Sequence, residues 1–151
     1  MAVLKNSVSE DVVVQALVSH FKRDNCFRIY QEVAFLNRRI DLVLVDRRDG
    51  EISAIEAKVS WWNRAIEQAR FSLLGVDKAY IALPRRTLKG LVRHREVLSA
   101  LGIGFLAVTL EPGRCRVEEM LVPQCSRCKS PIRERELRAS IHEGIYLKAI
   151  K

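Results

Sequence analysis

Asp41, Glu56 and Lys58 are the residues whose types and spacing in this chain could do chemistry. Asp41 lies in the run Ile-Asp-Leu-Val-Leu-Val, and Glu56 and Lys58 in the run Ile-Ser-Ala-Ile-Glu-Ala-Lys. Between the two runs, residues 46–51 form a polar cluster containing Asp-Gly, a turn signal flanked by β-branched segments. A hairpin symmetric about the Arg48–Asp49 bond sets Asp41 directly opposite Glu56. Opposed side chains have Cβ atoms about 5 Å apart, close enough for both carboxylates to share one ion. Two carboxylates with water suit a hard divalent cation such as Mg²⁺ or Mn²⁺. Strand side chains alternate faces, so Lys58 shares the face of Glu56. A metal ion, its carboxylate ligands and a nearby ammonium are the parts that hydrolysis of a phosphodiester uses.

The flanks of these residues add weight. Ile40, Leu42 and Leu44 are expected on one face, and Val43 and Val45 beside Asp41 on the other. A strand apolar on both faces belongs in the middle of a covered sheet. Charges placed there are costly unless paired or bound to a metal. Glu-x-Lys alone carries little information among 18 acidic residues, and a surface strand with an ion pair would use the same residues. Register, flanks and neighbouring elements together favour a site.

Those elements can be read along the chain. Residues 8–23 pattern as an amphipathic helix, with Val12, Leu17, Val18 and Phe21 on its apolar stripe, Ser9 as cap and Glu10 and Asp11 in its first turn. Residues 27–36 read as a strand, and Asn37-Arg38-Arg39 turns the chain into the Asp41 strand. A turn centred near Leu36–Asn37 puts Glu32 opposite Asp41. Ser60 can cap a following helix whose apolar positions are Ala65, Ile66, Ala69, Leu73 and Leu74, ended by Gly75. A strand at 78–83, a basic helix at 87–101, a buried strand at 103–110 and a short strand at 114–122 follow. The order predicts an α/β fold, a mixed central sheet with helices on both faces and a parallel crossover after the hairpin. Residues 1–123 read as one domain. Residues 124–151 read as a basic appendage, with a charged helix over 132–148, and not as a second domain.

Charge is unevenly placed. The net of +8 comes wholly from residues 61–151, since residues 1–60 carry nine basic and nine acidic groups. Arg64, Arg70, Arg85, Arg86, Lys89, Arg93 and Arg95 are the candidate contacts to a polyanion; the bland alternative is a solvated basic face. Of Trp61 and Trp62, one is expected in the core and the other is a candidate for stacking on a base. Cys125-x-x-Cys128 is half of a structural Zn²⁺ site; Cys115 is a candidate third ligand, Cys26 and His142 are more distant ones, and two free cysteines is the simpler reading. No apolar run approaches a membrane span, and the start of the chain lacks the apolar core of a signal peptide, so the expected location is cytoplasmic.

With Asp41 in Arg-Ile-Asp-Leu-Val, Glu56-Ala-Lys58 on the next strand, and a helix carrying Gln68, the chain resembles the PD-(D/E)XK nuclease superfamily over about residues 8–110. The resemblance implies a restriction-endonuclease-like core of order αβββαβ and a Mg²⁺-dependent nuclease. It implies that Asp41 and Glu56 are metal ligands and that Lys58 positions water and stabilises charge. Glu32 matches an extra carboxylate of some branches, Glu10 the first-helix glutamate of the Holliday-junction-resolvase branch, and Gln68 the helix glutamine of the RecB-like branch. Two departures stand out: Ile40 replaces the proline of the family's name, and Ser72 stands where the RecB-like branch has tyrosine. The expected activity is endonucleolytic hydrolysis of DNA rather than RNA, and a homodimer suits cutting of two strands. The rival readings are a non-catalytic nucleic-acid-binding relative and a protein-interaction subunit of a larger nucleic-acid-processing complex.

Overall fold

The structure, a computed structural model, describes residues 9–60 and 62–150. Residue 8, the first of the helix expected over 8–23, and Trp61 lie outside the described residues. One seven-stranded sheet has the order β6-β5-β4-β3-β2-β1-β7. Its strands are β1 (Phe27–Phe35), β2 (Arg38–Asp46), β3 (Ile52–Ala57), β4 (Lys78–Pro84), β5 (Gly104–Glu111), β6 (Arg114–Leu121) and β7 (Lys148–Ile150). β3, β4 and β5 run parallel, and the remaining pairings are antiparallel. Helix α1 (Glu10–Lys22) covers one face. Helices α2 (Trp62–Ser72), α3 (Lys89–Leu101) and α4 (Pro131–His142) contribute to the core on the other.

α1 starts where Ser9 accepts the N–H of Val12, and it packs Val13, Ala16, Leu17 and Val18 inward. Leu17 and Val18 are buried and Phe21 packs against the same core as expected, but Val12 is 47% exposed and Val13 takes its place in the stripe. Three consecutive valines leave that phase ambiguous in sequence. α2 begins at Trp62, whose N–H bonds the backbone carbonyl of Ser60, so Ser60 contributes its main chain. Gly75 closes the segment after α2; a Cβ there would fall 2.6 Å from Cζ of Phe35.

The two hairpins have the expected registers. β2 pairs β3 through Leu42↔Ile55, Val43↔Ala54 and Val45↔Ile52, which sets Asp41 opposite Glu56. β1 and β2 are joined by Leu36 and Asn37, both at positive φ (51° and 61°), the geometry of a tight two-residue turn. Gln31↔Leu42 and Val33↔Ile40 are paired, so Glu32 stands opposite Asp41 where the ladder is interrupted.

At that interruption Glu32 has φ +51°, a left-handed conformation inside a strand. Regular alternation would put Ile29 and Val33 on one face. Instead Ile29 packs in the α1 core and Val33 in the α2 core. β2 reverses with its partner: Leu42 and Leu44 join the α1 core, while Ile40 joins the opposite one. The expectation that Ile40, Leu42 and Leu44 share a face is therefore corrected. The pleat turns over at the Glu32–Asp41 position.

Residues 124–150 pack into the fold rather than standing off it as an appendage. Leu137 of α4 has no exposed surface and belongs to the main core. Ser126 bonds the carbonyls of Leu73 and Asp77, Ser130 that of Leu74, and Arg138 that of Gly50 in the hairpin turn. The helix stops at His142, short of the expected 148, and Gly144 (φ +77°) follows. The chain then returns as β7 beside β1, pairing Lys148 with Gln31.

Candidate active site

Glu56 sits near the end of β3 on a strand whose residues are all buried, and it is itself 2% exposed. Asp41 comes to it from β2, released from regular pairing by the reversal. Its Oδ2 accepts the N–H of Ala57 at 2.8 Å, which pins the aspartate beside the Glu-Ala-Lys strand. Lys58 follows the last residue of β3, is 8% exposed, and gives its backbone N–H to Ala82 on β4 at 3.0 Å. Its Nζ lies 3.4 Å from Oε1 of Glu10 at the start of α1.

The electrostatics follow from that crowding. Burial is the main cause that pushes the Glu56 carboxyl well above the usual range, and the Asp41 charge adds to it. Lys58 and Arg38 pull the other way. Asp41 is also raised, again by burial first, against the Ala57 N–H and Lys58, which favour its ionised form. The same crowding that favours the protonated forms of both carboxyls would favour a bound cation beside them. Glu10, Glu32 and Asp41 line one cleft of about 280 Å³, together with Asp11, Val14, Gln31 and Leu147. Glu32 is exposed there, and its backbone carbonyl accepts from Arg39 at 3.0 Å. Among the described residues no three His, Cys, Asp or Glu side chains are arranged to hold a metal ion. Asp41 and Glu56 are thus a dyad, with Glu10 engaged by Lys58.

Gln68 lies on α2, and its Oε1 is buried with no hydrogen-bond partner. Three residues further on, Phe71 carries the Arg38 guanidinium 4.8 Å from its ring centroid. Arg38 was not singled out by sequence, yet its charge acts on Glu56. The signal was available in the register, which puts Arg38 two residues before Ile40 on the strand that carries Asp41.

The basic residues are spread over α2, the segment between β4 and α3, and α3 itself. Arg64 and Arg93 meet in a cavity between α2 and α3. Arg85 is paired with Glu118 of β6, and Arg86 lines a separate cavity at the ends of β4 and β5. Lys89 and Arg95 are exposed on α3. Arg70 lies in a third cavity beside Cys125 and Cys128. All four cysteines are free, and Cys125, Cys128 and Cys115 are exposed. Neither Cys26, Cys115 nor His142 completes a four-ligand set with the Cys-x-x-Cys pair, since no cluster of three ligands exists among the described residues. Trp62 is buried, the core position expected of one tryptophan.

No protein-family model matches this chain, and no curated protein is similar to it. A solved structure, the SPO1766 protein of unknown function from Silicibacter pomeroyi, is similar with a TM-score of 0.67. The match covers 93% of this chain and 88% of that one at 18% identity, a likeness of fold alone. The class defined is a mixed α/β protein with a seven-stranded sheet flanked by helices. Among the described residues no helix is long and apolar enough to cross a membrane.

Proposed function

We propose that this protein is a metal-dependent nuclease of the PD-(D/E)XK kind, hydrolysing phosphodiester bonds in DNA. The observation that carries the reading is the buried Glu56 with half-buried Asp41 opposite it and buried Lys58 beside it, on adjacent strands in a strongly basic chain. Isolated carboxylates are not kept at such a position without compensation, and the residues present fit a hard divalent ion. Asp41 and Glu56 would hold Mg²⁺ or Mn²⁺, with water and phosphate oxygens completing the shell. When bound, the ion supplies Lewis acidity toward the phosphoryl group and lowers the pKa of water.

The protein's own groups do the rest. The Ala57 N–H fixes the Asp41 carboxylate, so little reorganisation is needed on binding. Lys58 brings a fixed positive charge to the side of both carboxyls, where it can stabilise charge building on the phosphoryl oxygens. Water attacks phosphorus, a P–O bond to a sugar oxygen breaks, and the products are a phosphate monoester and a hydroxyl group. Glu10 holds the Lys58 ammonium in place through the 3.4 Å contact. Glu32 faces the same cleft and is the candidate for an additional carboxylate near the ion.

Incubation of circular and linear DNA with the purified protein, with Mg²⁺ or with EDTA, tests the reading. Metal-dependent nicking by the parent, lost in Asp41→Asn and Lys58→Ala, supports it. DNA binding without cleavage would make the protein a non-catalytic relative.

A further inference from the structure

The cavity between α2 and α3 lies outside the carboxylate site and measures about 500 Å³. Ser60, Trp62, Asn63 and Arg64 line it from the α2 side, and Arg93 and His94 from α3. Ser60 is two residues beyond Lys58, so the chain leads from the carboxylate site directly into this cavity. Three aromatic rings form a column beneath it. Phe105 and Trp62 have centroids 5.0 Å apart, and Trp62 and His94 lie 5.1 Å apart with planes only 16° from parallel. Trp62 is closed inside the column, whereas His94 is half-buried and ends it at the cavity. Gly90 allows this approach of α3, because a Cβ there would strike the Trp62 indole.

Arg64 and Arg93 are exposed, and among the described residues neither has a carboxylate partner. Arg85, Arg133 and Arg138 are neutralised by Glu118, Glu136 and Glu134 respectively. A cavity with two uncompensated guanidiniums and the open face of a ring stack suits an anion joined to a flat heterocycle. A nucleotide is that ligand, and aromatic stacking on a base does not depend on its identity. Inside a duplex both faces of each base are covered by neighbours, so only an unpaired base can extend the column.

We propose that this cavity binds one unpaired nucleotide of single-stranded DNA, with its base on His94 and its phosphate between Arg64 and Arg93. This deepens the nuclease reading and rests on it for the choice of DNA. It makes the substrate a DNA carrying a single-stranded segment next to the cleaved bond.

Binding is measured on Asp41→Asn protein in EDTA, so that it is independent of cleavage. The probe is a short single-stranded oligodeoxynucleotide containing 2-aminopurine, whose fluorescence falls when it stacks, compared with its duplex. The single strand is expected to bind more tightly than the duplex and to be quenched. His94→Ala should lower affinity about tenfold and remove the quenching, and His94→Phe should restore both. The Arg64→Gln, Arg93→Gln double variant should flatten the slope of log affinity against log salt by about 0.7, the value for the one phosphate that both guanidiniums face. Equal binding of duplex and single strand, or unchanged quenching in His94→Ala, would overturn the proposal. A protein that cuts DNA with quenching unchanged by His94→Ala overturns the cavity alone. A protein that never cuts but shows the His94-dependent quenching overturns the nuclease reading alone.

Discussion

Oδ2 of Asp41 accepts the backbone N–H of Ala57 at 2.8 Å, so a side chain from β2 satisfies the main chain between Glu56 and Lys58. β2 turns over with β1 at this position, and the bond compensates an N–H of β3 that regular pairing would otherwise have used. The same bond holds the two carboxylates together before any ligand arrives.

Metal affinity should depend steeply on pH. Burial raises both carboxyls, the Asp41 charge adds to it at Glu56 and the Glu10 charge at Asp41, so protons compete with a divalent ion for the pair. Affinity for Mn²⁺ should rise with pH until Glu56 is fully ionised in the folded state. Titration calorimetry in two buffers of different ionisation enthalpy should report proton release. Release of no proton near neutral pH would remove this account of the pair.

Removing the Glu56 charge should stabilise the metal-free protein. An unfolded chain gives up this proton in the ordinary carboxylate range, while the folded chain holds it to higher pH. The folded state binds the extra proton between those values, so stability falls as pH rises through the interval. Glu56→Gln should melt higher than the parent above it, by about 2–4 °C per kcal/mol recovered, and the two should converge in acid. Thermal melts in EDTA across pH check this.

Glu32 tests the reversal of the pleat. Its φ of +51° is strained for any residue with a Cβ. Glu32→Gly should leave stability nearly unchanged, whereas Glu32→Val should lose about 1–2 kcal/mol in urea denaturation. Equal stability of the two variants would argue for a regular strand there.

Leu137→Ala should destabilise the whole domain by about 2–5 kcal/mol, because α4 closes the main core. A loss below about 0.5 kcal/mol would return residues 124–151 to the status of an appendage.

Much of the hairpin was legible because its polar turn and apolar flanks leave one register that buries the flanks, and that register opposes Asp41 to Glu56. The reversal at Glu32 was not legible, since nothing about a glutamate marks a left-handed strand position and the alternation rule assumes a regular pleat. β7 is three residues long and carries no pattern of its own; only its pairing with β1 defines it. Charge could be counted but not paired. Arg85 looks free in sequence, and its partner Glu118 lies on β6. Arg64 and Arg93 belong to two helices whose meeting depends on how closely α3 can approach Trp62.

The most direct test of the central claim is cleavage of supercoiled plasmid by the purified protein under single-turnover conditions, with Mg²⁺, against Asp41→Asn and Lys58→Ala. Both variants should keep the parent's circular dichroism and lose at least about 100-fold in rate, since each removes a charge aimed at the transition state. EDTA should abolish cleavage by the parent. Cleavage that survives EDTA, or folded variants that cut at the parent's rate, would contradict the assignment of the chemistry to Asp41, Glu56 and Lys58.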